Sequence, residues 1–121
     1  MFSFLRRQGN KAENKAAEYL KSKGYRILER NFLCPQGEVD IIAQKDDAII
    51  FVEVKQRSSK AFGGGVAAVT KAKQQKVGAA AMLYIKQYKK TYGALMFDII
   101  AITEGKLEHI QNAFTPSGLF I

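Results

Sequence analysis

The run from Ala48 to Val54, Ala-Ile-Ile-Phe-Val-Glu-Val, limits the possible folds of this chain more than any other segment. It is nearly continuous in apolar residues. Such a run is typical of a strand that is buried on both faces in the middle of a sheet, because a strand with one solvated face alternates apolar and polar residues. We therefore expect this strand to form the centre of the fold.

Helices and further strands are predicted on both sides of this run. A first helix is expected from about Asn10 to Lys23, because apolar residues recur at helical spacing and Gly24 suits the left-handed position that ends a helix. A second helix is expected from the N-cap residue Thr70 to about Tyr88. The remaining strands are predicted at Tyr25–Asn31, Glu38–Gln44, Leu95–Thr103 and Lys106–Gln111. The 121 residues suit a single domain, 1–121, of α/β class, with a mixed sheet of four to five strands flanked by two helices in the order α-β-β-β-α-β-β.

Basic residues outnumber acidic ones and concentrate in the middle of the chain. Nineteen Lys and Arg against eleven Asp and Glu give a formal net charge of +8. Between Val54 and Phe97 there is no acidic residue, whereas nine basic residues occur there. This pattern favours a polyanionic partner such as nucleic acid, although a merely solvated basic face would look the same. The residues expected to contact nucleic acid are Arg57, Lys60, Lys71, Lys73 and Lys76.

Nothing in the sequence predicts secretion or membrane insertion. Cys34 is the single cysteine, so an internal disulfide is impossible. The first residues hold too short an apolar stretch for a signal peptide, and no later apolar run could span a bilayer. We therefore expect a cytoplasmic protein without membrane contact.

Two charged residues interrupt the end of the central strand. Glu53 and Lys55 share one face of it, because strand side chains alternate. A buried carboxylate is costly unless it has a partner or a metal. If Asp46-Asp47 forms the turn of a hairpin with the preceding strand, Asp40 lies opposite Glu53. Both carboxylates could then hold one cation, since two ionised carboxylates this close repel each other unless a proton or a metal lies between them.

A third acid is expected near this pair. Asp40 shares a face of its strand with Ile42, and Glu13 follows the same helical stripe as Leu20, which faces the sheet. Carboxylate oxygens suit Mg²⁺ or Mn²⁺, and a lysine beside the metal could orient the attacking water or stabilise charge on a phosphate. A purely structural alternative is equally open: the acid and the lysine at the strand end form a salt bridge, and Asp40 caps a turn.

Other residues that could act in catalysis are interpreted as structural. His109, the only histidine, is expected to be a surface residue rather than a catalytic base. The three glycines at 63–65 lack the lysine and hydroxyl pattern of a phosphate-binding loop and suit a flap over the site. Tyr84 could stack on a nucleic-acid base but is expected in the core.

An ordered series of short motifs extends from Gly9 to Phe114, over nearly the whole chain. The motifs are Glu13-x-x-Ala16, Gly24-Tyr25-x-Ile27-Leu28-x-Arg30-Asn31-Phe32, Gly37-Glu38-Val39-Asp40, Phe51-Val52-Glu53-Val54-Lys55-x-Arg57, Phe62-Gly63, Val69-Thr70-x-x-Lys73 and Phe97-Asp98. This series resembles the YraN-type family, a group of small, largely uncharacterised bacterial proteins described as predicted endonucleases.

The resemblance implies a fold and a set of site residues. The family belongs with the PD-(D/E)xK nucleases of restriction-endonuclease-like fold and is similar to archaeal Holliday-junction resolvases. By motif, Asp40 and Glu53 would bind Mg²⁺ or Mn²⁺, and Glu13 would complete the metal site. Lys55 would be the catalytic lysine, and Gln56 would support the catalytic site.

Phosphodiester hydrolysis is the function that these residues favour. The residues do not distinguish DNA from RNA; the resemblance favours DNA, including branched or junction DNA. Two alternatives stay open: a protein that uses the nuclease fold to bind nucleic acid without cutting it, and an assembly or scaffold protein, for which the apolar tail at residues 119–121 is the only hint. A homodimer would suit the cutting of two strands, but no segment requires one.

Overall fold

Residues 11–57 and 69–117 are described by the structure, a computed structural model. The elements in chain order are α1 (Lys11–Ser22), β1 (Arg26–Cys34), β2 (Gly37–Lys45), β3 (Ala48–Arg57), α2 (Lys71–Gln87), β4 (Ala94–Thr103) and β5 (Lys106–Ile110). This order and the α/β class confirm the prediction. Lys60, the glycines at 63–65 and the tail at 119–121 lie outside the described residues.

The five strands form one mixed sheet whose spatial order follows the chain, β1-β2-β3-β4-β5. β3 pairs in parallel with β4 from Ala48 to Arg57, and the other neighbouring pairs are antiparallel. α2 makes the crossover that parallel pairing requires. The prediction for the apolar run is confirmed, because β3 is the middle strand and is buried from Ile49 to Glu53.

Each helix covers one face of the sheet and builds a core there. The α1-side core contains Ala16, Ala17 and Leu20 of α1 with Ile41, Ala43, Ile50, Val52, Ile100 and Ile102 of the sheet. The α2-side core contains Val77, Ala80, Ala81 and Tyr84 of α2 with Phe32, Val39, Ile42, Ile49, Phe51, Phe97 and Ile99 of the sheet, and also Val69 and Phe114. The predicted core position of Tyr84 is confirmed. Both faces of β3 are therefore removed from water, which accounts for its unbroken apolar run.

β2 changes its side-chain alternation near Asp40. Val39 and Ile42 both belong to the α2-side core although they are three residues apart, while Ile41 belongs to the α1-side core. The last residue pair between β2 and β3 is Ile41 with Val52, so the preceding residue of β2, Asp40, lies just outside the paired region. The regular alternation from which Asp40 was expected to share a face with Ile42 is therefore interrupted between Val39 and Ile41, and the shared face itself stays a prediction.

β1 is longer and less regular than predicted. Its pairing with β2 shifts register between Ile27 and Glu29, and Asn31 has a φ of 55°. Asn is one of the few residues that adopt this left-handed conformation without a large penalty. The strand continues through it to Cys34 instead of ending there.

The N-terminal end of α2 is fixed by a cap and by a close backbone contact. The Thr70 hydroxyl accepts a hydrogen bond from the Lys73 backbone N–H at 3.1 Å, which confirms the predicted N-cap. One turn later the β1–β2 hairpin approaches the helix, and a Cβ on Gly37 would lie 2.8 Å from the Lys76 carbonyl oxygen. Glycine at this position therefore lets β2 start directly against α2. Within the described ranges, neither helix has the length and apolar character needed to cross a bilayer.

Candidate functional site

Glu53 is a buried acid with an incomplete set of partners. Its side chain is 1% exposed, and its Oε1 lies 3.5 Å from the Lys73 ammonium nitrogen. Its Oε2 is buried and accepts no hydrogen bond from the residues that the structure describes. The pKa of Glu53 is raised from its ordinary value of 4.5 to about 7, first by burial and then by the negative charge of Asp40. The charges of Lys73 and Lys55 partly oppose this rise.

Asp40 interacts electrostatically with the other two predicted acids. Its Oδ2 accepts a hydrogen bond of 2.8 Å from the Val54 backbone N–H, just beyond the end of the β2–β3 pairing. Its charge also raises the pKa of both Glu53 and Glu13. The hairpin thus brings Asp40 within electrostatic reach of Glu53, as the turn at 46–47 predicted.

Glu13 is buried at the start of α1 and is held by two consecutive residues of β1. Arg30 donates from Nε and Nη2 to Glu13 Oε1 at 3.2 and 3.1 Å, and Asn31 donates from Nδ2 to the same oxygen at 2.9 Å. Neighbouring residues of a regular strand point to opposite faces, so the left-handed backbone of Asn31 is what lets both reach one atom. Burial raises the pKa of Glu13, and the hydrogen bond from Arg30 lowers it.

Sequence reasoning did not identify Arg30 and Asn31 as part of the site. Both lie in one of the motifs that carry the resemblance, and the preference of Asn for the left-handed conformation was a usable signal. The structural alternative paired Glu53 with the lysine of its own strand, but the ion pair that the structure shows is with Lys73 of α2. Asp40 accepts a hydrogen bond from a strand N–H, and its role as a turn cap stays a prediction.

The carboxylates fit a magnesium ion bound by few protein ligands. Among residues 11–57 and 69–117, no three His, Cys, Asp or Glu side chains lie close enough together to hold a metal ion. Mg²⁺, however, commonly binds through one or two carboxylates and keeps several waters. The buried Oε2 of Glu53 has no hydrogen bond within this described part of the chain and interacts electrostatically with Asp40, so it is an oxygen ligand suited to such an ion. Direct metal binding by Glu13 stays a prediction. Its Oε1 already accepts hydrogen bonds from Arg30 and Asn31.

The other predicted site residues surround this cluster to different extents. Lys55 lies on the Glu53 face of β3 and acts on Glu53 through its charge. Gln56 is exposed and points to the opposite face, so its support of the site stays a prediction. Of the expected nucleic-acid contacts, Lys71 and Lys76 are exposed on α2, Arg57 is half-buried at the end of β3, and Lys73 faces Glu53.

His109 is not a surface residue, contrary to the prediction. Its side chain is 4% exposed, and its Nε2 lies 2.7 Å from Oδ2 of the buried Asp98. The Tyr19 hydroxyl of α1 lies 3.1 Å from its Nδ1, and Asp98 Oδ1 accepts from the Asn112 backbone N–H at 2.9 Å. This network joins α1 to β4 and β5. The partners of His109 lie 11 and 90 residues away in the sequence, and no local pattern around the histidine identifies them.

Comparison with known proteins identifies relatives over most of the chain. The profile of the uncharacterised protein family UPF0102 matches residues 12–102. A UPF0102 protein of Thermodesulfovibrio yellowstonii is 48% identical over 106 residues, which cover 88% of this chain and 94% of that protein. One from Syntrophomonas wolfei is 45% identical over 106 residues (84% and 92%), and one from Persephonella marina is 40% identical over 114 residues (94% and 97%).

Proposed function

We propose that this chain, which belongs to the protein family UPF0102, is a metal-dependent endonuclease of the PD-(D/E)xK type. Its substrate would be nucleic acid, with DNA, including branched DNA, as the class to test first. The observation that carries the proposal is the buried Glu53 carboxylate, which interacts with the charges of Asp40 and two lysines. One of its oxygens has no hydrogen bond among residues 11–57 and 69–117.

In the proposed reaction a water oxygen would form a new bond to phosphorus while the P–O bond to one sugar breaks. The water would lose a proton to solvent and the leaving sugar oxygen would gain one, which gives a phosphate monoester and a hydroxyl group. Asp40 and Glu53 would hold a Mg²⁺ ion, which when bound lowers the pKa of a water ligand and offsets negative charge on the phosphate. Lys55 would supply a positive charge beside the phosphate oxygen on which negative charge develops. Arg30 and Asn31 would keep the Glu13 carboxylate at the edge of the site, within reach of the charge of Asp40.

The basic residues around α2 would bind the phosphate backbone. Lys71 and Lys76 are exposed on the same helix that carries Lys73 into the site. Contacts of this kind give affinity without sequence preference and weaken as salt rises. We also expect the protein to act in the cytoplasm, and a homodimer would allow two sites to cut opposite strands.

Binding without cleavage is a second candidate function, favoured by the same exposed lysines. The two candidates differ in their need for metal. Binding by lysines alone persists in EDTA and after loss of the carboxylates, whereas hydrolysis requires both. A scaffold role would leave the protein without affinity for any nucleic acid at low salt.

The test is a cleavage assay on labelled single-stranded, duplex, flap and four-way-junction DNA and on single-stranded RNA, with Mg²⁺ or Mn²⁺. The expected result is metal-dependent cutting that is lost in EDTA and in Glu53→Gln and Lys55→Ala. Glu18→Gln is the matched control, because it removes one carboxylate charge from an exposed position on α1. Binding without cutting in every metal would reject the nuclease and support the binding protein.

A further inference from the structure

Lys73 lies at the solvent side of the buried Glu53 carboxylate and forms an ion pair with it. It stands in the first turn of α2, where its backbone N–H donates to the N-cap Thr70. Its ammonium nitrogen reaches Glu53 Oε1 at 3.5 Å. An ordinary phosphate-contacting lysine on this helix would resemble Lys71, which is exposed. A surface that only binds phosphate therefore does not explain why Lys73 lies beside Glu53.

The contact between Lys73 and Glu53 neutralises the acid only in part. The distance of 3.5 Å is longer than that of a strong charge-assisted hydrogen bond. The ammonium approaches one carboxylate oxygen, while the buried Oε2 has no hydrogen-bond partner within residues 11–57 and 69–117. A buried carboxylate with one unpartnered oxygen is costly, so a further positive partner stabilises it.

Lys73 is also able to leave. Its side chain is 38% exposed, whereas that of Glu53 is 1% exposed, so the lysine reaches the acid from the solvent side. A lysine side chain is a long flexible stem with a compact charge, and it can turn outward without moving the helix. Its backbone is fixed by Thr70, so such a movement involves the side chain alone.

We propose that Lys73 is an internal counter-ion that competes with a divalent cation for Glu53 and turns toward the phosphate backbone when the cation binds. Lys73 is thus a positioning residue for the metal-free acid. This inference rests on the proposed function, because it requires the same carboxylates to bind metal. It adds a link between the two ligands, because binding of the cation releases the Lys73 ammonium group to contact nucleic acid.

The test is a Mg²⁺ titration by calorimetry at pH 8.5, without nucleic acid, on the parent protein and on Lys73→Met, Lys73→Arg and Lys71→Met. Methionine keeps the length of the stem and removes the charge. A positive charge a few ångströms from the ion weakens its binding, so we expect Lys73→Met to bind Mg²⁺ about tenfold more tightly than the parent. Lys73→Arg keeps the charge and the parent affinity. Lys71→Met measures the effect of losing any one charge from this turn of the helix.

A melting curve supplies a second readout that does not depend on catalysis. We expect Mg²⁺ to raise the melting temperature of Lys73→Met more than that of the parent, because tighter binding to the folded state stabilises it more. Equal Mg²⁺ affinity of Lys73→Met and Lys71→Met would overturn the inference. If the parent still binds Mg²⁺ in that case and Asp40→Asn does not, the proposed function stands. If neither the parent nor Lys73→Met binds Mg²⁺ or Mn²⁺, both fall.

Discussion

The Asp40 carboxylate accepts a hydrogen bond of 2.8 Å from the Val54 backbone N–H at the point where β2 and β3 separate. A side chain here takes the place of the strand carbonyl that would otherwise satisfy this N–H. The end of the β2–β3 pairing and this hydrogen bond of the acid therefore coincide. An acid proposed to bind metal is also the partner of the first strand N–H beyond that pairing.

Two substitutions of Asp40 separate these roles. Asp40→Asn keeps an oxygen that can accept from Val54, so we expect its free energy of unfolding to stay within about 1 kcal/mol of the parent, while metal-dependent cleavage is lost. Asp40→Ala leaves that N–H without its partner and costs about 1–3 kcal/mol. Urea unfolding in EDTA measures both. Equal destabilisation by Asn and Ala would show that the charge, and not the hydrogen bond, holds the strands here.

The raised pKa of Glu53 predicts a pH dependence of stability. Its pKa is about 7 in the folded protein and 4.5 ordinarily, so between these values the folded state holds a proton that the unfolded state has released. The contribution of Glu53 to stability is therefore present below about pH 4.5 and lost as pH rises to about 7, on the order of 3 kcal/mol in all.

The comparison with Glu53→Gln isolates this contribution, because the other titrating groups are shared. In EDTA we expect the free energy of unfolding of the parent, minus that of Glu53→Gln, to fall between pH 4.5 and 7 and then to level off. Denaturant unfolding at several pH values gives this difference directly. A difference that stays constant, or that rises with pH, would contradict the buried, raised-pKa state of Glu53.

The left-handed conformation of Asn31 predicts an unusual order of stability among its variants. Asn31→Gly and Asn31→Ala both lose the amide that binds Glu13, but only alanine keeps a Cβ at a φ of 55°. We expect Asn31→Gly to be more stable than Asn31→Ala by about 1 kcal/mol, the reverse of the usual order inside a strand. Thermal or urea unfolding decides it. An alanine variant as stable as the glycine variant would mean that the strand is regular at this position.

The buried network of His109 predicts a large loss of stability when its acceptor is removed. Asp98→Ala leaves His109 Nε2 and the Asn112 N–H without partners, and we expect a cost of about 3–5 kcal/mol. In the double variant with His109→Leu, the free energy of unfolding should fall by less than the sum of the two single losses. Each single substitution leaves the other side chain buried without its partner, and the double substitution does not. Strictly additive losses in urea unfolding would show that the two side chains are energetically independent.

The sequence was sufficient for the elements whose patterns are local. The apolar run of β3, the N-cap at Thr70 and the buried stripe that ends at Leu20 were predicted and are confirmed. Each follows from one periodicity or one capping rule acting over a few residues. The nearness of Asp40 to Glu53 followed from these elements, because a tight turn fixes the register of a hairpin.

The parts that were missed depend on departures from periodicity and on distant partners. Regular alternation was assumed along β2, but Val39 and Ile41 belong to opposite cores although they are two residues apart. The same assumption hid the joint contact of Arg30 and Asn31 with Glu13. The burial of His109 depends on Tyr19 in a helix 90 residues away, and no local pattern encodes such a contact.

The irregularities of β1 also affect how this protein behaves in a crowded solution. Among the described strands, β1 lies at one edge of the sheet, where free backbone groups can pair with a strand of another molecule. The register shift near Leu28 and the left-handed turn of the backbone at Asn31 bend this edge, and the charged side chains of Arg26 and Glu29 interrupt it. A bent, charged edge is a poor template for a foreign strand. We therefore expect the distortion beside Glu13 also to disfavour aggregation through the β1 edge of the described sheet.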